Sequence, residues 1–250
     1  MKKLDSEEDL YPRERKWLKQ QNLSELIRIY QEYNNRKSFA KLKEKYKATQ
    51  YQSLDPSSYL FSILSNLEGS IDNAASQVSE EDIQWLSEQG LVETLEITKQ
   101  IHFRALKTKY QIVGQLAIDP FYEIMLKLER EERLDPKQII QLIEEGRLSR
   151  HGKIAIAYYR LEAIFYEKEY KRTGNRWNLP SASSNWRKAD EPERALKATE
   201  NVNWNKIQES DLKSALWVTR GAAFRDLEQL DEAESCATQA IECQSDSHQP

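Results

Sequence analysis

Hydrophobic residues recur along most of the chain at intervals of three and four positions, which is the spacing of one face of an α-helix. The longest stripe runs from Val92 to Val113 and predicts one long helix. Only 7 glycines and 7 prolines interrupt the 250 residues, so helices can run without breaks. With 39% hydrophobic and 31% charged residues, the composition favours an elongated all-α body in which every helix touches solvent.

One segment of the chain occurs more than once. Residues 39–46 and 103–110 are near-copies, and an Asp-Pro pair follows each copy at the same distance, at Asp55-Pro56 and Asp119-Pro120. A third, weaker copy lies over 163–170. The period of about 64 residues predicts a unit of three helices, and such repeats are typical of stacked α-α superhelices, or solenoids.

Local signals predict where several helices begin and end. Ser79 and Asp82 have the spacing of a capping box, and Asp55 before Pro56 predicts a helix start. A helix from Pro12 is expected to turn Trp17 and Leu18 inward, and Asn34-Asn35 is expected to break or bend the next helix.

Small and aromatic residues of the last segment have the spacing of a tetratricopeptide (TPR) repeat, at Trp217, Gly221, Phe224, Leu230, Ala233, Ala237, Ala240 and Ile241. Residues 214–247 therefore resemble one such repeat, in which Gly221 and Ala233 allow two antiparallel helices to approach closely and larger side chains, Leu230 among them, fill the space around. Three positions depart from the family pattern, namely Arg220, Glu228 and Ser245. The resemblance implies a protein partner held in the groove of a helical superhelix.

The resemblance extends weakly backwards, with Tyr158, Leu161 and Phe165 on a first helix and Ala195 on a second. The predicted organisation is a flexible N-terminus at 1–11, two three-helix repeats at 12–134, and a TPR-like helical region at 135–250 with an inserted loop at 173–189.

The inserted loop at 173–189 holds two tryptophans, Trp177 and Trp186, beside Arg176 and Arg187. Tryptophan and arginine are enriched at binding hot spots, so these four residues are candidates for contact with a partner. The alternative is that both indoles only pack the insertion onto the helices beneath it.

Amide side chains cluster around Trp204, at Asn201, Asn203, Asn205 and Gln208. Because an amide both donates and accepts hydrogen bonds, such a cluster can hold the backbone of an extended peptide. We therefore predict Asn201 and Asn205 as peptide contacts.

The repeated segments are rich in lysine, at Lys41, Lys43, Lys45, Lys107, Lys109, Lys168 and Lys171. One lysine cluster per repeat suggests contacts to the phosphates of a nucleic acid, with Lys107 and Lys109 as the main candidates. The alternative is the solvated face of an amphipathic helix. The net charge of -4 disfavours nucleic acid as the partner.

The sequence contains no motif for a reaction, a metal or a cofactor. The histidines His102, His151 and His248 have no partner at ligand spacing, and Cys236 and Cys243 are too far apart on one helix to form a disulfide. Free thiols and the lack of any run of roughly 18 apolar residues favour a soluble cytoplasmic protein without a membrane span.

These patterns together predict a non-catalytic scaffold that binds a protein through its C-terminal TPR-like groove and the inserted loop at 173–189 with its two tryptophans. A nucleic-acid-binding helical repeat and an accessory region of a larger enzyme remain alternatives. The sequence stops at Pro250, where a next repeat would begin, so self-association through this end is a further expectation.

Overall fold

The computed structural model describes residues 11–21, 23–72, 78–113 and 118–245. Over these residues the chain forms α-helices and one short 3-10 helix and contains no strand, which confirms the predicted all-α class. The contacts between Cα atoms divide the chain into an N-terminal unit, Met1–Lys109, and a C-terminal unit, Tyr110–Pro250. The predicted boundary between 134 and 135 rests on sequence similarity and stays a prediction.

The described part of the N-terminal unit contains α1 (Pro12–Gln20), α2 (Ser24–Lys45), α3 (Tyr59–Asp72), α4 (Glu80–Glu88) and α5 (Val92–Lys109). The described part of the C-terminal unit contains α6 (Phe121–Glu129), α7 (Pro136–Glu144), α8 (Lys153–Thr173), α9 (Asn178–Lys188), α10 (Pro192–Ala198), the 3-10 helix Trp204–Lys206, α11 (Ser210–Asp226) and α12 (Leu230–Ser245).

Among the described helices, helix length recurs with a period of three. The first helices of the four triplets, α1, α4, α7 and α10, contain 9, 9, 9 and 7 residues. The second helices, α2, α5, α8 and α11, contain 22, 18, 21 and 17 residues and are the longest of each triplet. The third helices contain 14, 9, 11 and 16 residues.

The segment predicted as an inserted loop, 173–189, is mostly helical, and this prediction is corrected. Helix α9 occupies Asn178–Lys188 and stands in the place of a third helix in its triplet. Pro180 lies in the first turn of α9, where the missing N–H removes no intrahelical hydrogen bond.

Three further expectations about the ends and faces of helices are corrected in part. Helix α2 continues without a break through Asn34, whose amide Nδ2 donates to the carbonyl of Tyr30 at 2.9 Å, and a bend there stays a prediction. Leu18 on α1 is 7% exposed and turns inward as expected, whereas Trp17 is 54% exposed and does not. Val92 and Val113 are 69% and 97% exposed, and Val113 lies beyond the end of α5, so the apolar stripe contributes to burial only between these two residues.

The capping box at the start of α4 is confirmed. Ser79 Oγ accepts from the N–H of Asp82 at 3.2 Å, and Asp82 Oδ2 accepts from the N–H of Ser79 at 2.8 Å. The start predicted at Asp55 is wrong, because α3 begins at Tyr59 and Asp55 accepts from the N–H of Ser57 in the preceding turn at 2.9 Å.

The core of the N-terminal unit is formed by the apolar ridges of the helices. Phe39 on α2 is fully buried and packs with leucines of α3 and α4, among them Leu60, Leu64 and Leu86. On α5, Phe103 and Leu106 are 6% and 4% exposed, so the ridge of the second copy is also buried. Burial of these ridges removes apolar surface from water and stabilises the helices that carry them.

The two copies of the repeated segment end in the same way. Tyr46 and Tyr110 are 2% and 8% exposed. Their hydroxyl groups donate to Glu68 at 2.8 Å and to Glu129 at 2.9 Å. The residue after each tyrosine has a positive φ, 59° and 52°, which ends the helix. The similarity of the two copies therefore extends to these contacts.

Helices α11 and α12 form a closely packed antiparallel hairpin. Ser214 Oγ donates to the carbonyl of Ala240 at 3.2 Å near one end. Further along α11, a Cβ added at Gly221 would lie 3.0 Å from Cys236 Cβ and 3.2 Å from the carbonyl oxygen of Ala233. A side chain at 221 would therefore crowd Cys236 and Ala233 on α12, so the small size of Gly221 suits the close approach of the two helices. Leu230 departs from the expectation of the TPR resemblance, because it is 66% exposed and fills no interior space.

Candidate functional site

A groove of about 460 Å³ lies between α8, α9, α10 and the segment that follows α10. We call it the Trp186 groove. Its apolar lining residues are Tyr170, Leu179, Trp186, Ala198 and Val202. Its charged and amide lining residues are Glu167, Lys171, Arg194, Lys197, Glu200 and Asn201. A groove with an apolar lining and polar groups at its edge can bind a segment that carries both kinds of side chain.

Trp186 forms part of the packed interior beside the groove. Its side chain lies on α9 and is 2% exposed, and its Nε1 donates to Glu167 Oε1 on α8 at 2.7 Å. The guanidinium of Arg194 from α10 lies 4.7 Å from the ring centroid. Three helices therefore meet at this indole, and the packing role considered for Trp186 explains it better than contact with a partner.

The other three residues of the predicted tryptophan site are in different surroundings. Trp177 is 47% exposed and immediately precedes α9. Arg176 Nη1 donates to the carbonyl of Lys206 at 2.6 Å, and Arg187 Nε donates to Asp226 Oδ2 at 2.7 Å. Neither Trp177 nor the two arginines line the Trp186 groove. Both arginines form hydrogen bonds within the chain, and so does the indole of Trp186. Among these four residues, Trp177 has the side chain that is exposed and forms no hydrogen bond with a described residue.

The structure separates the two predicted amides. Asn201 is exposed and lines the groove, whereas Asn205 is exposed in the 3-10 helix outside it. Trp204 beside Asn205 stacks on Trp217, with ring centroids 4.0 Å apart and planes 10° apart. Asn201 is thus the predicted amide that lies in a position to hold a segment in the groove.

The charges at the edge of the groove are only partly paired. Glu167 accepts from Trp186, and Arg194 pairs with Glu191 at 2.9 Å. The ammonium groups of Lys171 and Lys197 form no ion pair or hydrogen bond with any residue that the structure describes. The indole N–H is neutral and leaves the charge of Glu167 in place, so two ammonium groups and the carboxylates of Glu167 and Glu200 line the groove. Contact with the unpaired ammonium groups of Lys171 and Lys197 would favour acidic side chains at those two positions of a bound segment.

Lys43 and Lys45 of the first repeated segment are engaged within the protein, whereas Lys41 is exposed. Lys43 is 6% exposed, its Nζ donates to the carbonyls of Tyr51 and Ser53, and burial lowers its pKa. Lys45 Nζ lies 2.6 Å from Glu68 Oε2. These contacts favour the structural interpretation of the lysines over contact with phosphates.

Lys107 and Lys109, the candidates of the second segment, lie at the end of α5. Lys107 is half-buried and Lys109 is exposed. Both have contacts with other groups of the chain. Their predicted role as phosphate contacts stays a prediction.

The described ranges of the chain hold no group of three His, Cys, Asp or Glu side chains placed to bind a metal ion. Cys236 is buried and Cys243 is partly buried, and burial raises the pKa of the Cys236 thiol. None of the described helices combines the length and the apolar character that crossing a bilayer requires.

The α11–α12 hairpin leaves apolar side chains at the surface. Val218 and Ile241 are 54% and 68% exposed beside a shallow cleft of about 410 Å³. The predicted self-association concerns this end of the chain and stays a prediction.

Sequence reasoning missed most of the Trp186 groove. Lys171 was considered only as a phosphate contact, and Lys197 and Tyr170 were not assigned to any site. They lie on α10 and α8, and nothing local in the sequence indicates that these helices line one groove with Asn201. Compared with models of protein families, with curated proteins and with solved structures, the chain matches none.

Proposed function

We propose that the chain is a non-catalytic helical-repeat scaffold of the cytoplasm that binds an extended, acidic segment of a protein partner in the Trp186 groove. The observation that carries this proposal is the combination of an apolar lining with two unpaired lysines and Asn201 at the edge. No reaction is assigned to the chain.

The groove has the chemistry that an extended peptide requires. A volume of about 460 Å³ is enough for a few side chains and is too small for a folded domain. Tyr170 and Leu179 offer apolar contact, and the Asn201 amide can donate to a peptide carbonyl or accept from a peptide N–H. Lys171 and Lys197 can each bind a carboxylate of the partner.

The recurrence of helix lengths supports a repeat architecture. Four successive triplets, each with its longest helix in the middle, are what a stacked α-α superhelix with related units produces. In this proposal the α11–α12 hairpin is a TPR-like repeat, supported by the close approach at Gly221. Superhelices of this kind present grooves between successive helices, and the Trp186 groove would be one of them.

Peptide selection followed by affinity measurement tests the proposal. A random peptide library is selected against the whole chain, and the selected peptides are titrated by calorimetry. We expect an excess of acidic residues in the selected peptides and a loss of affinity in Asn201→Ala, Lys171→Gln and Lys197→Gln. Removing one charge-assisted hydrogen bond is expected to weaken binding about tenfold.

Asn205→Ala is the matched control, because it removes the same amide from an exposed position outside the groove. Its affinity for the selected peptides should equal that of the unmodified chain. The proposal fails if selection yields no peptide, or if Asn201→Ala and Asn205→Ala bind the selected peptides equally well.

A further inference from the structure

A second and larger cleft lies in the C-terminal unit between α7, α8 and the C-terminal ends of α9 and α11. Its volume is about 680 Å³, and we call it the Lys188 cleft. Apolar side chains line one part of it, namely Ile140, Ile143, Ile156 and Tyr159. Basic side chains line another part, namely Arg150, His151, Arg187, Lys188 and Arg225. This volume lies in the range of small-molecule sites.

The ion pairs within the cleft neutralise only some of these cations. Asp226 accepts from Arg187 Nε at 2.7 Å and pairs with Arg225 Nη2 at 3.3 Å. Arg150 and Lys188 form no ion pair with any residue in the described ranges, although Glu144 and Asp190 also line the cleft. Two cations therefore remain without a carboxylate at contact distance.

The surroundings of Lys188 also contain more positive than negative charge. Its Nζ lies 5.2 Å from the centroid of the Tyr159 ring. Lys188 as a whole residue is exposed, but desolvation of its ammonium in the cleft lowers its pKa, and the charges of Arg150 and Arg187 lower it further. The ammonium thus lies among other cations beside an apolar wall, where a bound anion would offset the repulsion between them.

We propose that the Lys188 cleft binds a small phosphate monoester, with Arg150 and Lys188 holding the phosphate and the isoleucines and Tyr159 contacting an apolar body. Arginine and lysine form charge-assisted hydrogen bonds to phosphate oxygens, and a planar guanidinium can bind two of them at once. Glu144 and Asp190 oppose a long polyanion in the same cleft, because their carboxylates would repel further phosphates. This site is separate from the Trp186 groove and does not rest on the function proposed for it.

Phenyl phosphate, which joins a phosphate to an apolar ring, is the probe for this site. Titration of the whole chain by calorimetry should show saturable binding of one equivalent, with inorganic phosphate binding more weakly and benzyl alcohol not binding. Arg150→Gln and Lys188→Gln should each weaken phenyl phosphate at least about tenfold, the factor that corresponds to about 1.4 kcal/mol. Ile140→Ser, at a position that is 48% exposed, should weaken phenyl phosphate and leave inorganic phosphate unchanged.

Lys206→Gln is the matched control, because it removes the same charge from an exposed position outside both the Lys188 cleft and the Trp186 groove. Circular dichroism and the melting temperature establish that each variant is folded, and Arg150 is exposed enough for its replacement to leave the core intact. The proposal is overturned if phenyl phosphate does not saturate the chain, if inorganic phosphate binds as tightly, or if Lys206→Gln loses as much affinity as Lys188→Gln.

Discussion

The ion pair between Arg133 and Glu162 offers the sharpest test of the packing in the C-terminal unit. Glu162 lies on α8 with 4% of its side chain exposed, and Arg133 lies in the segment between α6 and α7 with 42% exposed. Arg133 Nε and Nη2 donate to the two carboxylate oxygens at 2.6 and 2.9 Å. The guanidinium also lies 3.7 Å from the centroid of the Phe165 ring. Arg133 therefore supplies the positive charge and two hydrogen bonds that compensate the buried carboxylate of Glu162.

Arg133→Ala leaves the Glu162 carboxylate buried without its partner. Breaking a buried ion pair from one side costs about 3–5 kcal/mol, and we expect the lower end, about 3 kcal/mol, because the arginine is partly solvated. Arg133→Lys keeps the charge but loses the second hydrogen bond and the flat contact with Phe165, so the expected loss is about 1–2 kcal/mol.

Urea unfolding followed by tryptophan fluorescence measures these losses, since Trp177, Trp186, Trp204 and Trp217 all lie in the C-terminal unit. For a chain of this size, about 3 kcal/mol corresponds to a fall in melting temperature of roughly 6–12 °C.

Arg172→Ala is the matched control for Arg133→Ala. Arg172 forms the same two-bond contact with Glu169, at 3.0 and 2.6 Å, but its side chain is 70% exposed. Exposed pairs contribute about 0–1 kcal/mol, so the control should change stability little. Equal losses of unfolding free energy in Arg133→Ala and Arg172→Ala would refute the reasoning that the burial of Glu162 makes its ion pair strongly stabilising.

Three further outcomes are expected. Gly221→Val should lower the melting temperature of the C-terminal unit by the equivalent of about 1–3 kcal/mol, because its Cβ would lie 3.0 Å from Cys236 Cβ; an unchanged melting temperature would contradict the close approach of α11 and α12. Ser79→Ala should cost the N-terminal unit about 1 kcal/mol in urea unfolding by removing the cap of α4, whereas Ser87→Ala on the exposed side of α4 should cost less than about 0.5 kcal/mol. Ellman's reagent should modify the partly exposed Cys243 in the native chain faster than Cys236, whose burial raises its pKa; reversal of that order would place Cys236 at the surface.

Much of the helical framework could be predicted because its signals are local. The ridge that includes Phe103 and Leu106 has helical spacing, and the cap formed by Ser79 and Asp82 needs residues only three positions apart. Both signals depend only on residues that are close together in the sequence, so they can be read without knowledge of the tertiary structure.

The helix α9 was missed although a signal for it existed. Leu179, Ala182, Ser183 and Trp186 have the three-and-four spacing of one helical face and are all buried. Serine, asparagine and proline in the same segment have low helix propensity, and that composition favoured a loop. Burial of the apolar face against α8 outweighs propensity here, which is the usual result when tertiary packing and intrinsic preference disagree.

The sites were harder to predict, because the partner of a side chain decides whether that side chain is free to bind. Arg187 and its partner Asp226 are separated by 39 positions, and Arg176 and the carbonyl of Lys206 by 30. A tryptophan beside an arginine has the same composition in a buried helix contact and in a binding hot spot, and Trp186 belongs to the first kind because Glu167 from another helix accepts from its indole. Composition therefore indicates where strong contacts form, and only the exposure of each side chain shows which of those contacts remain open to a partner.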